Sequence, residues 1–139
     1  MSLLELLVGL VIVGVMSAAA GPAFGALRDR YVVQSVAADI AGAHNRARIR
    51  AVLEGQAAEL TIRADSLILR MRPSGPPVNL WSVPGPLAAG VTFASPPRIL
   101  IFAPSGVTTG FANATFVLTR GAARRQVVVS RLGRVRIIP

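Results

Sequence analysis

The chain has 139 residues, no cysteine, one histidine and six scattered acidic residues. This composition excludes disulfides, cysteine-ligated metal sites and thiol nucleophiles, and it lacks the paired acid and base of a typical enzyme, so we expect neither catalysis nor a cofactor. All fifteen basic residues are arginine and the net charge is +9. Such a surface attracts polyanions such as nucleic acid or anionic lipid headgroups.

The first predicted element is an apolar helix. No charged residue occurs from Leu6 to Leu27, and a helix of this length measures roughly 33 Å, enough to cross a hydrocarbon core of about 30 Å. A secretory signal peptide would begin with basic residues, whereas the first arginine here is Arg28. The segment 6–27 is therefore predicted to lie in a membrane.

Glu5 stands at the edge of this apolar run. A carboxylate near hydrocarbon is unfavourable unless it is paired, so its presence indicates a function. If Met1 carries a free amino terminus, that amine can pair with Glu5 of the same helix or of a neighbouring helix. The second arrangement would fix the register of an assembly, as buried polar groups do in coiled coils.

The apolar run also contains small residues and one proline. Gly9, Gly14 and Gly21 allow neighbouring helices to approach closely in lipid. Pro22 removes a backbone donor, which predicts a kink or a local interruption of the helix.

Apolar residues continue at a helical period from Val32 to Leu53, and Gly55 is suited to end the helix. One long helix is therefore predicted over about 2–54, with its second half lying on a sheet and its arginines on a solvated face. His44 is predicted to be a surface or cap residue, since nothing nearby completes a metal site.

From residue 57 onward the pattern changes to short strands separated by glycine and proline turns. Seven or so strands are expected, with a loop through the proline-rich segment after Arg72 that includes a short strand around Leu80 to Val83, and with Trp81 as a core or lid residue. The fold class is α+β, a long helix packed on an antiparallel β-sandwich-like domain. We divide the chain into a membrane or filament-core half of the helix (1–27), an amphipathic half (28–55) and a β domain (56–139).

The start of the chain, SLLELLV followed by the long apolar run and Pro22, resembles mature type IV pilins and type II secretion pseudopilins. The resemblance implies that a prepilin peptidase removes a short leader, that the Met1 amine is N-methylated, and that Glu5 pairs with a neighbouring amine during assembly. Methionine stands at the first position, where phenylalanine is commonest. Arg28 and Arg30 alone would hold their end of the helix in the cytoplasm, so the topology is taken from the resemblance.

The later segments ILIFAPSGVTTG, FVLTR and QVVVSRLGRVRIIP resemble the GspH/FimT group of minor pilins and pseudopilins. This resemblance implies an inner-membrane precursor with a periplasmic β domain, an inner-membrane assembly platform as a partner, and a filament of pilins or pseudopilins as the product.

The last strand carries a candidate nucleic-acid site. Arg134 and Arg136 are two residues apart, so both should point to one face of a strand while the alternate residues face the core. Paired guanidinium groups suit phosphates. The resemblance implies DNA binding, because a GRxR motif of this kind binds DNA in some FimT-like pilins. Further arginines are expected to extend the patch across adjoining turns: Arg131, Arg124 and Arg125.

Four interpretations stay open from the sequence. The chain could be a GspH/FimT-like structural subunit, an abundant filament subunit, a DNA-binding tip protein, or an anchored periplasmic domain that never polymerises. A purely structural role for the GRVR motif is also open, with the glycine making a turn and the arginines pairing with acids or neighbouring subunits.

Overall fold

The computed structural model describes residues 2–73, 75–109, 113–130 and 132–139, with the side chains of residues 19–22 outside the description. One helix, α1, spans Leu3–Glu54. It begins at the N-cap Ser2, whose hydroxyl accepts a hydrogen bond from the Leu4 amide, and it ends at Gly55 in the left-handed conformation. The predicted extent of the helix and its glycine end are confirmed.

The helix continues through position 22, so the predicted interruption there is wrong. Proline removes one hydrogen bond of the helix, and the helix continues on both sides of that lost bond. A bend at Pro22 stays a prediction.

In the residues that the structure describes, nine strands follow the helix, in two antiparallel sheets. The first sheet has the order β3-β2-β1-β5-β6 and the second the order β4-β7-β8-β9. The strands of the first sheet are β1 (Ala57–Ile62), β2 (Ser66–Arg72), β3 (Val78–Pro84), β5 (Arg98–Phe102) and β6 (Thr108–Thr109). Those of the second are β4 (Thr92–Phe93), β7 (Ala114–Arg120), β8 (Ala123–Val129) and β9 (Val135–Ile138). The predicted antiparallel sandwich-like domain is confirmed.

Two short elements differ from the prediction. Pro86–Ala89 forms a 3₁₀-helix inside the predicted loop, and β6 pairs with β5 where a turn was expected. Pro86 at the first position starts the 3₁₀-helix, because its fixed φ suits a helix and it needs no donor there.

The second half of α1 lies across strands of both sheets. Its buried face repeats every three or four residues, and half of its members are alanines whose small side chains let the helix approach the sheets closely. These buried residues are Val33, Val36, Ala37, Ile40, Ala43, His44, Ala47 and Ala51. Phe102 and Phe116, both fully buried, fill the space between the helix and the two sheets. We call the strands and the helix segment packed on them the head.

Candidate assembly helix and arginine surfaces

The rest of the described chain does not cover the first half of α1. Every described large apolar side chain from Leu3 to Leu27 is exposed, and these side chains point in all directions around the helix axis. The segment is long and apolar enough to cross a membrane. A helix that is apolar on all sides needs lipid or other helices around it.

Glu5 lies in the first turn of α1 with an exposed side chain. It is the third residue after the N-cap Ser2, the spacing of a capping box, and its negative charge is favourable at a helix N-terminus. Met1 lies outside the described residues. The pairing of Glu5 with an amine therefore stays a prediction, and the sequence reading missed the local capping role that the Ser2–Glu5 spacing indicates.

The junction between the apolar half and the head is held by one ion pair. Arg120, at the end of β7, donates from Nε to Asp29 Oδ1 at 2.8 Å and also donates to the Ala89 carbonyl in the 3₁₀-helix. A Cβ at Gly121 would lie 2.5 Å from Asp29 Oδ2, so the turn after β7 sits directly against the helix. Asp29 follows Leu27 by two residues, or about 3 Å along the axis. The turn between β7 and β8 therefore reaches the end of the apolar segment.

The GRVR motif has the predicted geometry. Arg134 and Arg136 are exposed, while Val135 and Ile137 are half-buried against the core. Gly133 has a φ of +72°, and a Cβ there would lie 3.2 Å from the Gly106 carbonyl oxygen. The turn therefore requires glycine, as the structural interpretation of the motif expects.

A third arginine from the helix joins this end of the head. Arg48 Nη1 donates to the Gly133 carbonyl at 3.4 Å, and a shallow depression is lined by Asn45 and Arg48 of α1 together with residues 133–136. Neither Arg134 nor Arg136 forms an ion pair with an acid in the part of the chain that the structure describes. Their guanidinium groups are available to an anion, and we call Arg48, Arg134 and Arg136 the distal arginines.

Arg124 and Arg125 do not extend this patch. Arg136 pairs with Val128 of β8, and Arg124 lies four positions further along that strand, about 13 Å away. Arg125 instead donates from Nε to Gln34 Oε1 at 2.8 Å, and Gln34 is about 21 Å from Arg48 along the helix. The two arginines belong to the end of the head next to Asp29, because β8 runs in the same direction as α1. Arg131 lies outside the described residues.

Two further arginines near the end of the helix, Arg46 and Arg50, have local partners. Arg46 lies over the ring of Trp81 at 5.3 Å, and Arg50 forms an exposed ion pair with Glu54 one turn later. Trp81 is half-buried at the edge of the core, as predicted. These contacts are those of a solvated helix face.

His44 is fully buried, so its prediction as a surface or cap residue is wrong. Its ring meets Phe102 edge-on, with centroids 5.0 Å apart, and neither ring nitrogen has a hydrogen-bond partner among the described residues. The signal was present in the sequence, because His44 follows Ile40 by four residues and precedes Ala47 by three on the apolar face. Within the described residues, no group of three metal-ligating side chains occurs.

Stability should depend on pH through His44. Burial lowers its pKa, the adjacent Asn45 amide opposes the shift without reaching hydrogen-bonding geometry, and the charge of Arg48 lowers the pKa further. The unfolded chain therefore binds a proton at a higher pH than the folded chain does. We expect full stability above about pH 6.5 and a loss of stability as the pH falls below it.

Thermal unfolding of the detergent-solubilised chain between about pH 7.5 and about pH 5.5 measures this loss. The variant His44→Leu, which cannot be protonated, should unfold at nearly the same temperature across that range. An unchanged pH dependence in this variant would assign the effect to other groups.

A known protein family matches most of this chain. The family model described as type II transport protein GspH matches residues 36–133, more than half of the chain. The chain belongs to the GspH family. The predicted resemblance to GspH-like minor pilins and pseudopilins is thus confirmed, and the match runs from residue 36 of the amphipathic helix through strands β1 to β8 and ends at Gly133, before β9. No curated protein sequence matches the chain.

The solved structures show the same fold for this GspH-family chain. The type IV minor pilin FimU of Pseudomonas aeruginosa, in space group P21, superposes with a TM-score of 0.65 at 22% identity, covering 79% of this chain and 90% of FimU. The P65 crystal form of FimU gives 0.60 at 20% identity, covering 76% and 92%. At this sequence identity the structural similarity establishes a shared fold only.

Proposed function

We propose that this chain is a structural, non-catalytic pilin-like subunit that enters a helical filament through the first half of α1. The observation that carries the proposal is the division of the helix: the head covers its second half, and nothing in the described chain covers the apolar side chains from Leu3 to Leu27. Lipid surrounds that half before assembly. Neighbouring helices replace the lipid in the filament.

Glu5 sets the register in this proposal. A leader is removed by a prepilin peptidase, the Met1 amine is N-methylated, and the Glu5 carboxylate of one subunit pairs with the Met1 amine of a neighbour. The exposure of Glu5 on a helix that is otherwise apolar supports the pairing, because an unpaired charge inside a bundle of apolar helices is strongly unfavourable.

The proposed route begins in the bacterial inner membrane, with the head in the periplasm. An inner-membrane assembly platform extracts the subunit into a type IV pilus or a type II secretion pseudopilus. Family membership and the apolar helix support this route, and the minor pilin FimU, which shares the fold, supports a role as a minor rather than an abundant subunit.

Peptide and intact-mass analysis of filaments sheared from the native cells tests the proposal. We expect the chain in small amounts beside an abundant subunit, beginning at Met1 and carrying one extra methyl group. High abundance would make it a major subunit. Retention of a leader, with the chain confined to the membrane, would contradict assembly and leave an anchored periplasmic domain.

DNA binding for uptake is a second candidate function, favoured by the distal arginines. Arg48, Arg134 and Arg136 converge around one depression, and no acid of the described residues pairs with the latter two. Guanidinium groups held in this way can contact successive phosphates without reading the base sequence.

The double variant Arg134→Gln with Arg136→Gln should weaken DNA binding and lower the slope of affinity against salt by about 2, since two phosphate contacts are lost. The matched control, Arg124→Gln with Arg125→Gln, removes the same charge at the other end of the head and should bind DNA nearly as well as the unchanged chain. Binding by detergent-solubilised protein to duplex DNA over a salt series measures both. Equal losses of DNA binding in the two variants would show that binding depends on the net charge of the protein alone, and would contradict a site at the distal arginines.

A further inference from the structure

The end of the head next to the membrane helix carries a second group of arginines. Arg28 and Arg30 follow the apolar segment directly, and both are exposed. Arg124 and Arg125 are the second and third residues of β8, just after the turn that rests against Asp29. We call Arg28, Arg30, Arg124 and Arg125 the proximal arginines.

The proximal arginines keep their positive charge uncompensated. Asp29 is the one acid between residues 6 and 38 of the sequence, and it is paired with Arg120. Arg125 bonds to the neutral Gln34 and to the Arg124 carbonyl, and none of the four forms an ion pair with an acid of the described chain. This end of the head therefore presents four cations around the helix.

The height of these cations matches the headgroup layer. The last apolar residue is Leu27, and the contact between Gly121 and Asp29 places the β7–β8 turn about 3 Å beyond it along the axis. Gln34, which holds Arg125, lies about 10 Å beyond Leu27. The polar region of a bilayer extends about 5–8 Å beyond the hydrocarbon on each side. If residues up to Leu27 fill the hydrocarbon, Arg28, Arg30 and the β7–β8 turn lie within the headgroup layer, and the side chain of Arg125 lies just above its outer edge.

We propose that the proximal arginines bind the phosphates of anionic lipids and seat the head on the bilayer before extraction. The inference rests on the proposed membrane anchoring by residues 6–27 and does not depend on filament assembly. Juxtamembrane arginines are each attracted to an anionic surface, and the Asp29–Arg120 pair holds the β7–β8 arginines at the height where that attraction acts.

The test measures how near the β7–β8 turn lies to the bilayer. The chain has no cysteine, so Ala122→Cys in this exposed turn gives a single labelling site. The full chain is reconstituted with a fluorophore at that position, either in phosphatidylcholine alone or in equal parts of phosphatidylcholine and phosphatidylglycerol. A trace of headgroup-labelled nitroxide lipid serves as the quencher. We expect stronger quenching with phosphatidylglycerol at about 0.1 M salt, and a loss of the difference at about 1 M, where the screening length falls from about 10 Å to about 3 Å.

Two variants identify the residues. Arg124→Gln with Arg125→Gln should shift the seated population by about 30-fold toward the free head, at the usual attraction of each arginine to an anionic surface. Arg28→Gln with Arg30→Gln, which leaves the contacts within the head unchanged, should act in the same direction. The distal pair Arg134→Gln with Arg136→Gln removes the same charge and should leave the quenching unchanged.

Different outcomes would overturn the proposed membrane anchoring and the proposed lipid binding. Release of the chain by alkaline carbonate would overturn the anchoring and the inference with it. Retention with equal quenching in both lipid mixtures, or equal losses from proximal and distal variants, would overturn the inference alone. A loss of duplex DNA binding in the Arg124/Arg125 variant without any change in lipid-dependent quenching would assign the proximal arginines to nucleic acid and also overturn it.

Discussion

Replacing Glu5 with alanine is expected to leave the chain in the membrane and to remove it from the filament. The apolar segment that follows Glu5 is unchanged, so insertion does not need the carboxylate. In the filament the partner amine would be left buried and unpaired, which is unfavourable by about 3–5 kcal/mol. Incorporation should fall by about two orders of magnitude or more. Quantitative immunoblotting of sheared filaments, compared with the membrane fraction, measures the ratio.

A second substitution separates the two roles that the structure allows for Glu5. Glutamine can also serve at the third position of a capping box, so Glu5→Gln keeps the local stabilisation offered by the Ser2–Glu5 spacing. It removes the charge that would meet the neighbouring amine. We expect Glu5→Gln to fail nearly as completely as Glu5→Ala. Normal incorporation of Glu5→Gln would show that Glu5 works as a helix cap, and would contradict its role in register.

Replacing Gly85 with alanine should destabilise the head by about 3 kcal/mol or more, through overpacking. A Cβ at Gly85 would lie 2.5 Å from the Ser66 amide nitrogen, 2.6 Å from the Ala64 carbonyl oxygen and 2.7 Å from the Asp65 carbonyl carbon. All three are backbone atoms of the β1–β2 turn, so no side chain can move aside. The Gly85 amide also donates to the Asp65 carbonyl at 2.7 Å, a bond that the added methyl group would strain. Thermal unfolding in detergent should show a midpoint lower by about 10 °C or more.

Gly75→Ala is the matched control. Gly75 also precedes a proline, has no atoms within 4 Å of an added Cβ, and does not have a positive φ. Gly85 itself has a φ of −85°, which alanine adopts freely. The two variants therefore change the unfolded chain alike and differ in the steric contact. Equal unfolding midpoints for the two variants would mean that the β1–β2 turn can move away from the added methyl group without a loss of stability.

Local signals in the sequence predicted the parts of the fold that local physics determines. The period of apolar residues and the glycine at position 55 defined the long helix, and the spacing of Arg134 and Arg136 placed both on one face of a strand. Helix continuity through Pro22 was not predicted, because the unfavourable effect of one proline competes with favourable contributions spread over many neighbours.

Contacts between residues far apart in the chain could not be predicted from the sequence. The Asp29–Arg120 pair joins residues 91 positions apart, and nothing in either local pattern specifies the partner. For the same reason Arg124 and Arg125 were grouped with Arg134 and Arg136: they are near in the sequence, but the antiparallel pairing of β8 with β9 carries them to opposite ends of the head. Arg48 was missed at the GRVR turn, since its position there depends on how the helix crosses both sheets.

The uncovered half of α1 restricts the path by which a subunit can travel. More than ten large apolar side chains are exposed there on all sides of the axis, and immersing them in water is unfavourable by of order 20 kcal/mol. A single partner helix would shield one side alone, so a dissolved monomer or dimer is not a usable intermediate. In the proposed assembly each subunit would therefore pass sideways from the bilayer into the growing end without an aqueous stage. Growth would then be confined to the membrane surface, and a subunit lost from the far tip would not be replaced.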